Sequence, residues 1–183
     1  SADTGEFSSG IELNAIQRSN PEMQKRAMNA IRGMIESGKN PIISIHDHGA
    51  GGHLNCLSEL VEENGGLIHI NKLPLGDPTL SFKEIIGNES QERMGLIIDP
   101  SDLNLIKSIA KRERAPIYVV GEVKNDKQFT FIDDATQKKP IDLNLDSLFG
   151  NPPKTLMKDK TLKRSFKEIE YSQKKIDLNT FYN

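Results

Sequence analysis

The pattern of apolar and polar positions predicts alternating helices and strands over most of the chain. Apolar residues recur at helical spacing in several segments, and short apolar runs bounded by glycine and proline separate those segments. The predicted helices start after the cap Asn20, at His53 or Leu54, and after the caps Ser81 and Ser101, and the predicted strands are 42–45, 67–70, 94–98, 117–123, 129–132 and 140–143. This order predicts an α+β (mixed α/β) fold, in which a mixed β-sheet packs against helices.

The first helix has the clearest predicted start. Asn20 is a favourable N-cap, and Pro21 suits the first helical position because that residue needs no N–H donor. Apolar residues then recur on one face until Gly38, where we expect the helix to have ended.

The segment 43–52 carries the most distinctive chemistry, because an apolar strand runs into an acid and a glycine-rich turn. Its sequence is Ile-Ser-Ile-His-Asp-His-Gly-Ala-Gly-Gly. The carboxylate of Asp47 can hold a hard cation, while Gly49, Gly51 and Gly52 let backbone N–H groups approach an anion. The free N–H groups of the following helix would face the same point. The pattern therefore predicts a phosphate and metal site.

Composition limits the other functional classes. The 183 residues allow one sizeable domain with a tail or two small domains. The net charge is −2, and the basic residues are scattered until the C-terminal end, so no basic stripe indicates nucleic acid. No apolar run is long enough to span a bilayer, and the N-terminus lacks a signal peptide pattern, so we expect neither membrane nor nucleic-acid partners and a cytoplasmic location. Because the chain begins at Ser1 without methionine, we expect a fragment of a longer protein.

The C-terminal end differs in composition from the rest. Pro152-Pro153 is followed by a basic cluster at 154–167 with few aliphatic residues. Because acidic residues are mixed into this cluster, a solvated linker is favoured over an RNA-binding arm. We therefore expect an entry segment at 1–20, a lobe at 21–150, and a linker or arm toward another domain at 151–183.

Four ordered sequence blocks together carry a specific resemblance. They are Gln17-Arg18-Ser19-Asn20-Pro21, His46-Asp47-His48-Gly49-Ala50-Gly51-Gly52, Gly76-Asp77-Pro78-Thr79 and Gly87-Asn88-Glu89-Ser90-Gln91-Glu92-Arg93-Met94. The chain resembles the large multidomain phosphoribosylformylglycinamidine synthases over about residues 3–150. The resemblance implies the C-terminal lobe of the first synthetase-like half, a lobe type shared with the aminoimidazole ribonucleotide synthetase superfamily.

The resemblance implies an ATP-dependent ligase step of purine biosynthesis. In that reaction the formyl amide oxygen of formylglycinamide ribonucleotide is phosphorylated and then displaced by ammonia from glutamine. The implied cofactors are Mg²⁺ and ATP, and the implied partners are the remaining synthetase and glutaminase domains of the same enzyme. The glycine-rich nucleotide loop and the histidine associated with catalysis in the family would lie upstream, so we expect the isolated chain to be inactive and to hold no catalytic residue.

The resemblance also assigns roles to single residues. Asp47 would bind Mg²⁺ at the nucleotide, and Gln17 matches a substrate-contacting glutamine. Glu89, Ser90 and Gln91 match a substrate-binding segment. The residues assigned to phosphate or nucleotide are Gly49, Gly51, Gly52 and Arg93.

Several of these side chains allow a second interpretation. Arg93 can bind phosphate through its planar guanidinium or can pair with Glu89 or Glu92. His48 departs from the family, in which glutamine or another residue is more common.

The histidines and the cysteine have simpler explanations than a functional site. His46, His48 and His53 can be drawn with Asp47 as metal ligands, but histidines that are solvated or support other residues are favoured over that interpretation. Cys56 is expected to be buried, because it lies in an apolar helix without an evident base beside it.

Two alternatives to the ligase remain open. The chain can be a binding or assembly module that contributes half of a pocket without doing chemistry. It can also belong to a related ATP-dependent synthetase or kinase, which would use ATP without ammonia.

Overall fold

The computed structural model describes residues 20–89, 92–150 and 152–170, and the chain divides into two units, 1–151 and 152–183. Short 3₁₀ turns at Ile70–Lys72 and Pro100–Asp102 connect the regular elements. The helices are α1 Pro21–Ile35, α2 Gly52–Leu60, α3 Phe82–Ile86, α4 Leu103–Arg112 and α5 Leu145–Phe149, and the strands are β1 Ile42–Asp47, β2 Gly66–His69, β3 Met94–Ile98, β4 Gly121–Val123, β5 Gln128–Ile132 and β6 Ile141–Asn144.

A four-stranded mixed sheet forms the centre of the first unit, in the order β4-β2-β5-β6. β2 and β5 are parallel, and the other neighbouring strands are antiparallel. Phe129 and Phe131 alternate with Thr130 along β5, and both rings are fully buried with a centroid distance of 5.4 Å. The period of two thus directs these aromatic side chains into the core. The predicted α+β fold with a mixed sheet is confirmed.

A separate antiparallel ribbon of β1 and β3 carries the glycine turn at its end. Asp47 is paired with Met94 at that end, and Gly95 lies beside the buried Cys56. A Cβ at Gly95 would lie 2.9 Å from the Cys56 sulfur, so α2 packs directly on the ribbon. The predicted strand 94–98 is present as β3, in which Met94 is 45% exposed and Gly95 is buried.

The helix caps were mostly predictable. The Asn20 side chain accepts a hydrogen bond from the backbone N–H of Met23 at 3.1 Å, which confirms the first cap. Ser81 forms a capping box with Glu84. The predicted cap Ser101 is wrong: Asp99 accepts from the Ser101 N–H and starts a 3₁₀ turn, and Asp102 precedes α4.

Two other predicted boundaries were wrong. The segment 117–123 forms a strand only at Gly121–Val123, because its partner β2 is four residues long and turns into a 3₁₀ helix at Ile70. α2 begins at Gly52 rather than at His53 or Leu54, since the N–H of Asn55 already reaches back to the Gly51 carbonyl.

The second unit is described for residues 152–170. This stretch contains no helix or strand, and its large apolar side chains are at least 77% exposed. Its role as a linker or arm, like the predicted division at residues 20 and 150, remains a prediction. No helix in the described ranges has the length and apolar character needed to cross a membrane.

A second hydrophobic cluster joins α1 to α4. Ile106 is completely buried there against Ala30 and Met34, while its neighbour Leu105 is 39% exposed. The apolar faces of both helices were visible in the sequence as helical periodicity, and the structure shows that they pack on each other.

We predict that Ile106→Ala lowers the free energy of unfolding by about 2–5 kcal/mol, because it removes buried contacts and leaves a cavity. Urea unfolding followed by circular dichroism measures this change. Leu105→Ala on the same helix is the control and is expected to cost roughly 0.5 kcal/mol. Equal losses in the two variants would contradict the packing described for α4.

Candidate functional site

The glycine turn connects β1 to α2 and sets the direction of the helix. Gly51 is the N-cap with φ +80°, and Gly52 follows with φ +60°. The Gly52 N–H donates to the Gly49 carbonyl at 3.1 Å, which closes the turn. Two successive residues in the left-handed region favour glycine, since it has no Cβ to clash there.

Gly52 is also required by a close neighbour. A Cβ at this position would lie 2.5 Å from the Asn88 carbonyl oxygen and 2.6 Å from the Gly87 carbonyl carbon. The backbone after α3 therefore rests directly on the glycine turn. This contact places the polar segment that begins at Gly87 beside the start of α2.

Glu89 supplies the carboxylate that the start of α2 lacks locally. The N-cap Gly51 has no side chain to accept a hydrogen bond, and the first turn of α2 contains no acid. The N–H of Gly51 instead donates to Oε1 of Glu89 at 3.2 Å, across 38 residues of sequence. A carboxylate at a helix N-terminus is favourable because it faces free N–H groups and the positive end of the helix dipole.

Asp47 lies at the edge of this turn and faces solvent. Its side chain is 73% exposed, and Nδ1 of His46 lies 3.8 Å from its carboxylate. Its carboxylate oxygen Oδ2 would lie 3.7 Å from a Cβ built on Gly49. The structure therefore brings Asp47 and the glycine turn together, with carboxylate oxygens accessible to a ligand.

His48 and His53 form a buried pair beneath the turn. Nε2 of His48 and Nδ1 of His53 are 2.9 Å apart, and the two rings meet edge to face. Both residues are more than 90% buried, and this burial lowers the pKa of each imidazole to about 4. The pair therefore joins the turn to the first turn of α2 in the neutral form. Of the two expected roles, solvated or supporting other residues, burial excludes the solvated one for His48 and His53.

His46 is held near the end of β1 by its own backbone neighbour and by Glu59 of α2. Its Nδ1–H donates to the Asp47 carbonyl at 2.9 Å, and its Nε2 lies 2.6 Å from a carboxylate oxygen of Glu59. These contacts raise the pKa of His46, and the hydrogen bond to the Asp47 carbonyl has the largest effect. Each of the three histidines thus contacts another residue. The interpretation of His46, His48 and His53 together with Asp47 as ligands of one metal ion therefore fails. No group of three or more His, Cys, Asp or Glu side chains in 20–89, 92–150 and 152–170 is arranged to hold a metal.

Arg93 lies next to the turn through its backbone. Its carbonyl accepts from the His48 N–H at 3.1 Å, and burial of its half-buried side chain lowers the pKa of the guanidinium. A partly desolvated cation beside free N–H groups suits an anion.

Gln17, Ser90 and Gln91 lie outside the described residues, so their predicted roles remain predictions.

The sequence interpretation gave no role to a polar network at the ends of the parallel strands. Nδ1 of His69 lies 2.7 Å from Asp134 at the end of β2. Asn71 donates to the buried Asp133 and accepts from the Asp134 N–H. The sequence did hold a signal for this network, because polar residues directly follow two predicted strands.

Cys56 is buried as predicted, and burial raises the pKa of its thiol to about 11.

The chain matches a known protein family over most of its length. Residues 1–134 match the family described as AIR synthase related protein, C-terminal domain, and the chain belongs to this family. Over 157 residues it is 43% identical to phosphoribosylformylglycinamidine synthase of Saccharomyces cerevisiae. The aligned region covers 84% of this chain and 12% of the yeast protein.

Solved structures agree with this relationship. The T. maritima PurL complexed with FGAR has a TM-score of 0.64 and 27% identity over 83% of this chain. The same protein complexed with ATP has a TM-score of 0.65 and 27% identity over 85% of this chain. PurLQS from Thermotoga maritima has a TM-score of 0.67 and 28% identity over 88%. This chain spans 25–27% of those chains.

We predict that Gly52→Ala disrupts the turn, whereas Gly49→Ala does not. At Gly52 the new Cβ would meet the Asn88 carbonyl at 2.5 Å with φ at +60°, while at Gly49 the nearest atom is 3.7 Å away. Strain and overpacking of this kind typically cost about 1–3 kcal/mol each. Urea unfolding measures the loss. Equal stability of the two variants would show that the turn does not need the close approach.

We predict that the chain loses stability as the pH falls from about 6.5 toward 4. The unfolded chain takes up protons on His48 and His53 near the ordinary pKa of 6.5. In the folded protein burial lowers the pKa of both imidazoles to about 4, so protonation of the pair needs a lower pH. The contribution is therefore fully present above pH 6.5, and its size is about 3 kcal/mol for one proton.

Urea unfolding from pH 7 to 4 measures this dependence, and it should be weaker in His53→Phe. His46→Gln is the control. The raised pKa of His46 gives the opposite sign, because its contribution is present below 6.5 and lost as the pH rises through the folded value. An unchanged slope in His53→Phe would contradict the assignment.

Proposed function

We propose that this chain is part of a phosphoribosylformylglycinamidine synthase. This ATP-dependent ligase of purine biosynthesis converts formylglycinamide ribonucleotide, ATP and glutamine-derived ammonia to formylglycinamidine ribonucleotide, ADP and phosphate. The observation that carries the proposal is the 43% identity to the yeast enzyme over 84% of this chain. The T. maritima relatives solved with FGAR and with ATP support the same substrates.

The chemistry needs positioned phosphates more than it needs reactive side chains. The γ-phosphoryl group passes to the carbonyl oxygen of the glycinamide, and ammonia then displaces phosphate from that carbon, which becomes the amidine carbon. Enzymes promote such transfers mainly by orientation and by neutralising charge. The glycine turn and Arg93 meet this need with backbone N–H groups and a half-buried cation.

The residues present fit a magnesium ion shared with a nucleotide. Asp47 offers an exposed carboxylate, and Mg²⁺ is commonly held by one or two carboxylates together with substrate phosphates. When bound, Mg²⁺ would offset the negative charge of the phosphates. Asp47 would hold the ion at the turn, so that phosphate oxygens and helix N–H groups meet there.

The ribonucleotide would bind along the neighbouring segment. Gly87 and Asn88 pack on the glycine turn, and Glu89 reaches the N–H of Gly51 beside the proposed phosphate site. Glu89, Ser90 and Gln91 are assigned to the substrate by their match to the family motif, as is Gln17. These roles are part of the proposal.

This chain would supply only part of the active site. It spans 12% of the yeast relative, so the proposed nucleotide loop, catalytic histidine and glutaminase belong to other parts of the protein. The full enzyme is expected to act in the cytoplasm. In this view 152–170 belongs to a linker or arm leading toward the next synthetase half.

The test is Asp47→Asn in the full-length protein. We expect kcat for ATP-dependent amidation of formylglycinamide ribonucleotide to fall by about 100-fold or more, since a ligand of the charge-neutralising ion is lost. Asp146→Asn, an exposed acid on α5, is the control and should leave kcat unchanged. If Asp47→Asn keeps full turnover and only weakens assembly of the protein, the chain is a binding module and the metal role fails.

A further inference from the structure

Glu89 connects the two segments to which the nucleotide and the ribonucleotide are assigned. Its Oε1 accepts from the N–H of Gly51 at 3.2 Å, although 38 residues separate them. We propose that Glu89 is a positioning residue that holds the polar segment after α3 against the glycine turn, and so couples the two binding sites. This inference rests on the proposed function. It replaces the assignment of Glu89 as a substrate ligand by a role in holding the glycine turn and the segment after α3 together.

The start of α2 takes an acceptor from another segment at this contact. Its N-cap Gly51 has no side chain and its first turn has no acid, so Glu89 supplies the acceptor for the Gly51 N–H. A hydrogen bond to an ionised carboxylate is stronger than one between neutral groups. Removing it would leave an N–H without this acceptor at the point where a phosphate is expected to bind.

The other contacts of the turn act from different directions. His48 and His53 join the turn to α2 from the buried side. The backbone of Gly87 and Asn88 sets how closely the two segments approach at Gly52. Packing alone fixes the separation of the segments, while the directional bond from Gly51 to Glu89 fixes their alignment.

The coupling makes a specific kinetic prediction. If Glu89 only contacted the ribonucleotide, its loss would change the KM for that substrate alone. If it aligns both segments, its loss changes the KM for ATP as well, because the phosphate-binding N–H groups lose their alignment. A misplacement of about 1 Å can cost roughly 100-fold in rate.

The experiment compares Glu89→Gln and Glu89→Asp in the full-length enzyme, with Glu92→Gln as the control for loss of a nearby charge. The glutamine variant keeps an oxygen at the same reach, so both KM values should stay within about threefold of the parent, in keeping with a retained hydrogen bond. The aspartate variant keeps the charge but is one methylene too short, so both KM values should rise by roughly tenfold. Glu92→Gln should change neither.

The opposite pattern would overturn the proposal. A rise in the ribonucleotide KM alone, or a larger loss in Glu89→Gln than in Glu89→Asp, would identify a direct or purely electrostatic role. Unchanged KM values in both variants would also exclude the coupling.

A second measurement separates this inference from the proposed reaction. Amide hydrogen exchange at 48–55 in the full-length protein should be faster in Glu89→Asp and unchanged in Glu89→Gln, whatever reaction the enzyme performs. Equal exchange in the two variants would contradict the contact. If exchange follows this prediction but the protein does not amidate formylglycinamide ribonucleotide with ATP, the contact stands, whereas the proposed function and the coupling of its two sites fail.

Discussion

The close approach of Gly52 to the backbone of Gly87 and Asn88 is the constraint on which the candidate site depends. At this separation no Cβ fits, and φ at Gly52 is +60°, so geometry and space both select glycine. The contact brings the turn after β1 against the segment after α3. With the two segments in contact, Glu89 can reach the start of α2, and the candidate residues can form one site.

Charge around the turn is arranged in a consistent way. The buried pair His48 and His53 stays neutral near pH 7, so no cation is buried beneath the turn without a partner. His46 has a raised pKa and is held by Glu59 on the ribbon. Asp47 is exposed at the turn, and the backbone carbonyl of Arg93 contacts the turn at His48, where an anion and a cation are proposed to meet.

The proposed metal ligand lies at a solvent-exposed edge of the chain. Asp47 is largely exposed, and the chain spans only 12% of its yeast relative and 25–27% of the T. maritima chains it matches. A rigid glycine turn with solvent-facing ligand atoms suits a role in which other parts of the protein complete the coordination. The hydrophobic clusters around Phe129 and Ile106 stabilise the lobe that holds the turn in place.

The sequence by itself determined the features that depend on neighbours within about four residues. The cap at Asn20, the cap at Ser81 and the strand β5 follow from local hydrogen bonds and from a short apolar run. Only the tertiary structure decided the short β4, the buried histidine pair and the bond from Gly51 to Glu89. Those features depend on which distant segments meet, because strand length, burial and hydrogen-bond partners are set by the packed neighbour.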